Sequence, residues 1–279
     1  MIKESLRGKK IAITGSTGFL GTALAELLLR EIDDIQLRLL IRPSGKRSAS
    51  KRLERDILRN DAFDQLREAL GAAGFNELAS NAVKALSADI SLDNLGLDDT
   101  GLRELSECDI VIHSAAAVSF DEPLDRAAEV NLMGPVRLVE TLQNLDAEPH
   151  LVMVSTCYVA GNRKGTAPEK PLSQSPFYVP LNWREETEAA RRTRSYTEDD
   201  SRRSENLEKF RAEAKSELGA PGMSVIATKT EQIRERWVKE KMVEAGRERA
   251  TSLGFPDAYA FTKAMAEQAV QEIRGNIPL

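Results

Sequence analysis

The sequence predicts a doubly wound α/β fold, a parallel sheet in strand order 3-2-1-4-5, with a helical insertion. Three observations carry that prediction. Short apolar runs recur at 11–13, 35–41, 82–86, 108–113 and 150–155, each the length of a buried strand, with helix-forming stretches between them. A turn with three regularly spaced glycines follows the first run. A section dense in both signs of charge separates the fifth run from the last helix-forming stretch.

Composition bounds the function. The 279 residues are 41% hydrophobic and 30% charged, the balance of a soluble globular chain with a sizeable core. A net charge of -5 argues against a nucleic-acid partner held by a basic surface. Two cysteines, Cys108 and Cys157, without a secretory leader predict a reducing cytoplasm. His113 and His150 lie in no cluster with metal-ligand spacing, so no metal site is expected. No apolar run approaches the ~20 residues of a membrane span. Peripheral membrane contact and homodimerisation stay open.

The first strand, Ile11-Ala12-Ile13, leads into Thr14-Gly15-Ser16-Thr17-Gly18-Phe19-Leu20-Gly21, and the Ala- and Leu-rich run that follows is a helix. Strand, glycine turn and helix are the context of a dinucleotide loop. Gly15 permits the tight turn, Gly18 lets backbone approach a pyrophosphate, and Gly21 lets the helix pack on the strand. Residues Gly15 to Gly21, with Ser16, Thr17, Phe19 and Leu20 between the glycines, are the candidate cofactor loop. The helix start offers N–H groups and a positive dipole end to phosphates. The second strand ends in Arg42-Pro43-Ser44-Gly45-Lys46-Arg47, where an NAD site usually carries an acidic residue. A guanidinium can grip a 2′-phosphate. NADPH is therefore the expected cofactor, with Arg42 the leading contact and Ser44 and Arg47 weaker ones.

Residues 48–72 read as one helix ended by Gly71 and Gly74. After the third strand, 82–86, comes Ser87-Ala88-Asp89-Ile90. The fourth strand, 108–113, is followed by Ser114-Ala115-Ala116-Ala117, whose small side chains let a cofactor lie close to backbone. His113 reads as a packed or hydrogen-bonded histidine. Residues 123–142 read as the next helix, with Asn131 inside it. The fifth strand, 150–155, ends in Ser155-Thr156-Cys157-Tyr158, and a hydroxyl at the carboxyl end of a parallel strand faces ligand. Cys157 reads as a small buried residue, since no histidine lies nearby in sequence to activate it.

A proline-bearing connection covers 162–181. From 182 to 250 the chain carries 16 Lys/Arg and 15 Asp/Glu. Leu207, Phe210, Ala214 and Leu218 share one helical face, and Ile233, Trp237, Met242 and Ala245 another. Gly219-Ala220-Pro221-Gly222 is expected to break the helix between them. The section reads as a lid or substrate subdomain, or equally as a solvated decoration. Tyr259 and Lys263 then stand four apart on one helical face. A cationic Lys263 would lower the phenol's pKa and bind the nicotinamide ribose. Tyr259 would give a proton to an oxygen as hydride reaches carbon, and Thr156, with Ser155 as the alternate, would hold that oxygen.

The Thr-Gly-x-x-Gly-x-x-Gly loop and the hydroxyl, Tyr and Lys resemble the extended short-chain dehydrogenase/reductase family. That resemblance implies a Rossmann-type domain in which Asp89 accepts the adenine amino hydrogens and Ile90 covers a ring face. It also implies that Asn131 is linked through water to the lysine, although a plain polar helix residue fits as well. Gly15–Gly21, Ile41-Arg42-Pro43, the run from Ala115 to Leu124, Ser155–Val159 and Tyr259–Glu267 look like the fatty acyl-CoA reductases of the male-sterility type. This narrower resemblance implies NADPH-dependent reduction of a long-chain acyl-CoA or acyl-carrier thioester to an aldehyde, often onward to the alcohol. The expected organisation is a cofactor core over 1–161, the charged insert over 162–255 and a return over 256–279. Relatives then build a carboxyl-terminal substrate domain, so the chain reads as the amino-terminal part of a longer enzyme. The rival readings are a sugar-nucleotide epimerase or dehydratase and a non-catalytic NADP sensor. The long Thr156-to-Tyr259 spacing and Arg42 speak against the first, and the intact Tyr/Lys pair against the second.

Overall fold

The computed structural model describes residues 2–218 and 223–279. The expected break at Gly219-Ala220-Pro221-Gly222 lies outside the described residues. The chain divides into two compact units: residues 1–116, 133–155 and 269–279 form the first, and 117–132 and 156–268 the second.

The first unit is a five-stranded sheet. Its strands are β1 (Lys10–Thr14), β2 (Gln36–Ile41), β3 (Val83–Ser87), β4 (Ile110–His113) and β5 (His150–Met153). All pairs are parallel, in the order β3-β2-β1-β4-β5. The strands run as predicted, with their ends moved by one to two residues: β1 is longer by one residue at each end, β2, β4 and β5 are shorter, and β3 is shifted by one. Alternation along them builds a core on each face. Ile11, Ile13, Leu37, Leu39 and Ile41 join Leu28, Leu29 and Phe63 on one side. Ala12, Leu40 and Val111 join Leu138 and Leu142 on the other. Each large side chain buried this way contributes roughly 2 kcal/mol relative to exposure.

Helix α1 (Phe19–Glu31) follows β1. The single helix expected over 48–72 is instead broken. A short helical turn (Ala49–Arg52) passes into a π-turn (Leu53–Leu58), and α2 (Asp64–Ala82) carries a kink at Gly71, where φ is 67°. Gly71 interrupts the helix but does not end it, and Gly74 lies within it. The single helix expected over 123–142 is also divided: a turn (Leu124–Ala127), a π-turn (Ala128–Leu132) and α3 (Met133–Asn144). A π-turn takes up one extra residue within a single turn, and apolar positions this sparse do not reveal the resulting change of phase.

The second unit contains α4 (Trp183–Ser201), α5 (Ser204–Leu218), α6 (Met223–Ser252) and the start of α7 (Ala258–Ile273). Residues 117–132 and 156–161, which the sequence groups with the cofactor core, belong here. Their Leu124–Ala127 turn packs on α4 and α6. Phe210, Ala214 and Ile233 form a small core with Trp237, whose ring lies 5.7 Å from that of Phe210. The two apolar faces read from the sequence thus meet each other, although Leu207 and Leu218 remain partly exposed. Among the described residues, no helix is long and apolar enough to cross a membrane.

The charge of this section is partly structural. Arg234, 4% exposed, donates to Glu231, to Glu198 Oε2 at 2.7 Å and to Ser201 Oγ at 2.9 Å. Burial pushes the Glu198 carboxyl up. Hydrogen bonds from Arg202 and Arg234 and the charges of Arg234 and Arg194 outweigh that and hold it at about 2. Its ordinary value is 4.5. The fold therefore favours the charged form, and the contribution is full above 4.5 and lost as pH falls towards 2. Glu198→Gln should cost about 1–2 kcal/mol at pH 7 after allowance for solvent screening. It should also flatten the stability profile across that acid window. Urea unfolding followed by helical circular dichroism at stepped pH checks both, and identical profiles for the two proteins would refute the role.

Candidate active site

In the first unit the glycine turn is built by steric necessity. Gly15 has φ +73°, and a Cβ there would lie 2.6 Å from the Ala115 backbone nitrogen. A Cβ on Gly21 would meet the Gly15 carbonyl oxygen at 2.4 Å. Backbone therefore touches backbone where β1, α1 and the end of β4 converge. Thr22 Oγ1 donates to the Ser16 carbonyl at 2.9 Å and ties the first turn of α1 to the loop. Gly18 is the N-cap of α1 and brings no capping side chain, which leaves first-turn N–H groups for an anion. Ser16 Oγ is buried with no hydrogen-bond partner among the described residues. A phosphate oxygen would satisfy it, so this cradle fits a dinucleotide pyrophosphate.

The expected rim residues divide. Arg42 follows β2 at the same sheet edge and is exposed. Its carbonyl accepts from Arg52 Nη1 at 2.7 Å, which fixes the backbone at this position. Ser44 and Arg47 close a tight turn through paired backbone hydrogen bonds of 3.0 Å around Gly45, at φ +56°. Arg47 also lies 3.9 Å from Asp56. Asp89 Oδ1 accepts from the backbone and hydroxyl of Ser91 at 3.0 and 2.7 Å, so half of that carboxylate already caps its own turn. Ile90 packs where a Cβ on Gly134 would touch its Cδ1 at 2.9 Å. Ala115 donates its N–H to Thr14 Oγ1 at 3.2 Å, and Thr14 Oγ1 lies 2.9 Å from His113 Nδ1. His113 is thus the packed, hydrogen-bonded histidine that the sequence suggests. Ala116 completes this small-residue edge, and Ser155 also lies in the first unit.

In the second unit, α7 presents Tyr259 and Lys263 one turn apart. The Tyr259 and Thr156 hydroxyls are hydrogen-bonded. Thr156 also accepts from the Tyr158 N–H at 3.3 Å and caps the turn Cys157–Ala160. That turn leaves Cys157 exposed rather than buried, which corrects the sequence reading. The residue opens a surface turn and no longer belongs to the strand.

Asn131, 1% exposed, sits in the π-turn. Its Oδ1 accepts from the Ala117 N–H at 2.8 Å, and its Nδ2 donates to the Ala117 carbonyl at 3.0 Å and to Thr262 Oγ1 at 3.2 Å. Its side chain clamps the Ala117 segment to α7, whatever else its backbone does. The phenol's pKa also departs from expectation. Burial raises it, the hydrogen bond with Thr156 opposes, and Asp257 and Cys157 push it further up. Lys263, 2% exposed, is lowered to about 8 by burial against the opposing charge of Glu267.

Three neighbours escaped the sequence reading. Phe120 packs edge-on against Tyr259 and Tyr158, at 6.1 and 6.2 Å between ring centroids. Thr262 anchors Asn131. Glu267 stands four residues beyond Lys263, a spacing that could have flagged it. Phe120 has no such signal, because an exposed aromatic in a loop follows no period.

The glycine cradle on a parallel, doubly wound sheet defines a dinucleotide-binding domain of the Rossmann type. The match runs through almost the whole chain: it belongs to the NAD-binding family described as male sterility protein, whose model matches residues 13–279. Among its relatives, fatty acyl-CoA reductase 2, chloroplastic, of Arabidopsis thaliana is 33% identical over 276 residues, covering 98% of this chain and 41% of that protein. Fatty acyl-CoA reductase 8 of Arabidopsis thaliana is 32% identical, covering 98% and 50%. The alcohol-forming fatty acyl-CoA reductase of Simmondsia chinensis is 31% identical, covering 100% and 51%. The chain spans about half the length of these relatives or less.

Proposed function

We propose that this chain carries the catalytic machinery for NADPH-dependent reduction of a long-chain fatty acyl thioester, on coenzyme A or an acyl carrier, to the aldehyde and onward to the alcohol. The observation that carries the reading is the Tyr259–Thr156 hydrogen bond with Lys263 one turn on, in a family whose named relatives reduce fatty acyl-CoA. Bound NADPH supplies the hydride. Tyr259 and Thr156 hold the carbonyl oxygen and stabilise its developing negative charge. Collapse of the resulting thiohemiacetal oxyanion re-forms the carbonyl and expels the thiolate, which leaves the aldehyde. In a second round Tyr259 gives its proton to the aldehyde oxygen, and Lys263 stabilises the phenolate left behind. Arg42, exposed at the end of β2, takes the 2′-phosphate and sets the preference for NADPH over NADH.

The test is NADPH oxidation with product analysis across a panel of acyl-CoAs, using the chain and any longer polypeptide that carries it. Aldehyde or alcohol is expected. Turnover of nucleotide sugars with none of acyl-CoA would sink the reading. Arg42→Ala should weaken NADPH binding about tenfold and leave NADH binding within about twofold. An equal loss for both would remove Arg42 from the phosphate site.

A further inference from the structure

Two segments of the second unit run side by side in opposite directions. At one end Thr156 is hydrogen-bonded to Tyr259. At the other, Asn162 donates its N–H to the Gly254 carbonyl at 2.7 Å. The second junction uses two glycines with positive φ, Gly161 at +76° and Gly254 at +85°. A Cβ on Gly161 would lie 2.6 Å from the Gly254 oxygen. A Cβ on Gly254 would lie 3.3 Å from Arg163 Nη2 and 3.6 Å from its Nε. The Arg163 guanidinium therefore lies beside Gly254, in space that a side chain at that position would crowd.

Beyond Arg163 the chain turns again at Gly165, at φ +132°, where a Cβ would touch the Phe177 ring at 3.2 Å. Arg163 and Lys164 are thus presented from a short loop pinned at both ends. Arg163 is exposed, and its side chain makes no ion pair or hydrogen bond among the described residues. In a chain of net charge -5 the stretch 162–170 holds Arg163, Lys164 and Lys170 against Glu169 alone. Two other surface arginines of this unit, Arg191 and Arg249, are matched by carboxylates. A side chain seated by two glycines and left without a counter-charge is ready for an anion.

We propose that Arg163, with Lys164 beside it, binds a phosphate of the substrate's thiol carrier. This deepens the reduction reading and rests on it. A pantetheine thioester has its reacting carbonyl at one end of an extended arm and its phosphate at the other. Recognition of the carrier thus calls for a cation on the same framework as the phenol but removed from it. The antiparallel pair of segments supplies that: Tyr259 and Thr156 at one end, Arg163 at the other. Coenzyme A and carrier-bound phosphopantetheine share this phosphate chemistry, and the test separates them.

Titration calorimetry measures binding of coenzyme A, 3′-dephospho-coenzyme A, 4′-phosphopantetheine and pantetheine to the chain and to Arg163→Gln. Coenzyme A should bind the variant about tenfold more weakly or worse, Arg163→Lys should recover part of the loss, and pantetheine and NADPH should bind both proteins alike. A loss equal for coenzyme A and 4′-phosphopantetheine places the arginine on the phosphate that both carriers share. A loss that vanishes with 3′-dephospho-coenzyme A places it on the phosphate peculiar to coenzyme A. Coenzyme A binding unchanged in Arg163→Gln, or absent from the unaltered chain, overturns the proposal, as does an equal loss for pantetheine. The two readings fail separately. Arginine-dependent coenzyme A binding without thioester-dependent NADPH oxidation sinks reduction alone, whereas oxidation with an unaltered KM in Arg163→Gln sinks the arginine site alone.

Discussion

Tyr259→Phe is expected to lower the turnover of acyl thioester and aldehyde by about 10²–10⁴-fold, the range for removing a positioned general acid. NADPH affinity should stay within about twofold. The phenol is partly buried, and burial holds its pKa above 10.0, so at neutral pH it carries its proton. That is the state required to donate in the direction of reduction. The depressed pKa expected from the sequence would suit the reverse reaction, in which the phenolate accepts. Thr156 remains after the substitution and can still hold the oxygen, but it has no cation one turn away to stabilise the anion left by proton loss. Loss of one hydrogen bond should cost about 1 kcal/mol of stability, too little to unfold the chain. Single-turnover reduction and NADPH fluorescence titration separate these effects. A variant turning over within about threefold of the unaltered chain would remove Tyr259 from the chemistry.

How far the sequence reaches depends on how local the cause is. The five strands and the glycine turn are legible because burial on both sheet faces selects short apolar runs, and because the close backbone contacts at Gly15 and Gly21 admit no side chain. The one-turn spacing of Tyr259 and Lys263 needs only the helix repeat. The Tyr259–Thr156 hydrogen bond, in contrast, joins residues far apart in the chain: the sequence offers a strand-end hydroxyl and a helical Tyr for the same oxygen, but no local pattern that pairs them. The clamp of Asn131 on Ala117 and Thr262 was not legible at all, because its side chain is placed by a π-turn that breaks the expected helix. Nor was the seat of Arg163, which depends on Gly254 arriving beside Gly161 from a distant segment. Charge misled in the insert. Arg234 and Glu198 look like solvated residues in sequence, yet they pin α4 to α6.

Lys263→Met separates chemistry from architecture, because the two should move in opposite directions. Lys263 is 2% exposed, and burial lowers its pKa from 10.5 to about 8 despite the charge of Glu267. The unfolded chain therefore binds this proton more tightly than the fold does. The penalty is full below about 8 and is lifted as pH rises towards 10.5. A difference of that size corresponds to about 3 kcal/mol as an upper bound. Methionine fills a similar volume without a charge, so the variant's melting temperature at pH 7 should equal or exceed that of the unaltered chain. Its stability should also lack the rise between pH 8 and 10.5. Turnover should nevertheless fall at least about 10²-fold, since Tyr259 loses the cation that stabilises its phenolate. In the unaltered chain the same pKa predicts a kcat/KM for reduction that declines above about pH 8 as Lys263 loses its proton. Calorimetric melting at stepped pH, paired with the pH–rate profile, reads both arms. A variant that melts lower and still turns over would make Lys263 a packing residue. One that melts higher and is inactive would show that the fold tolerates an unfavourable buried cation because the reaction needs it.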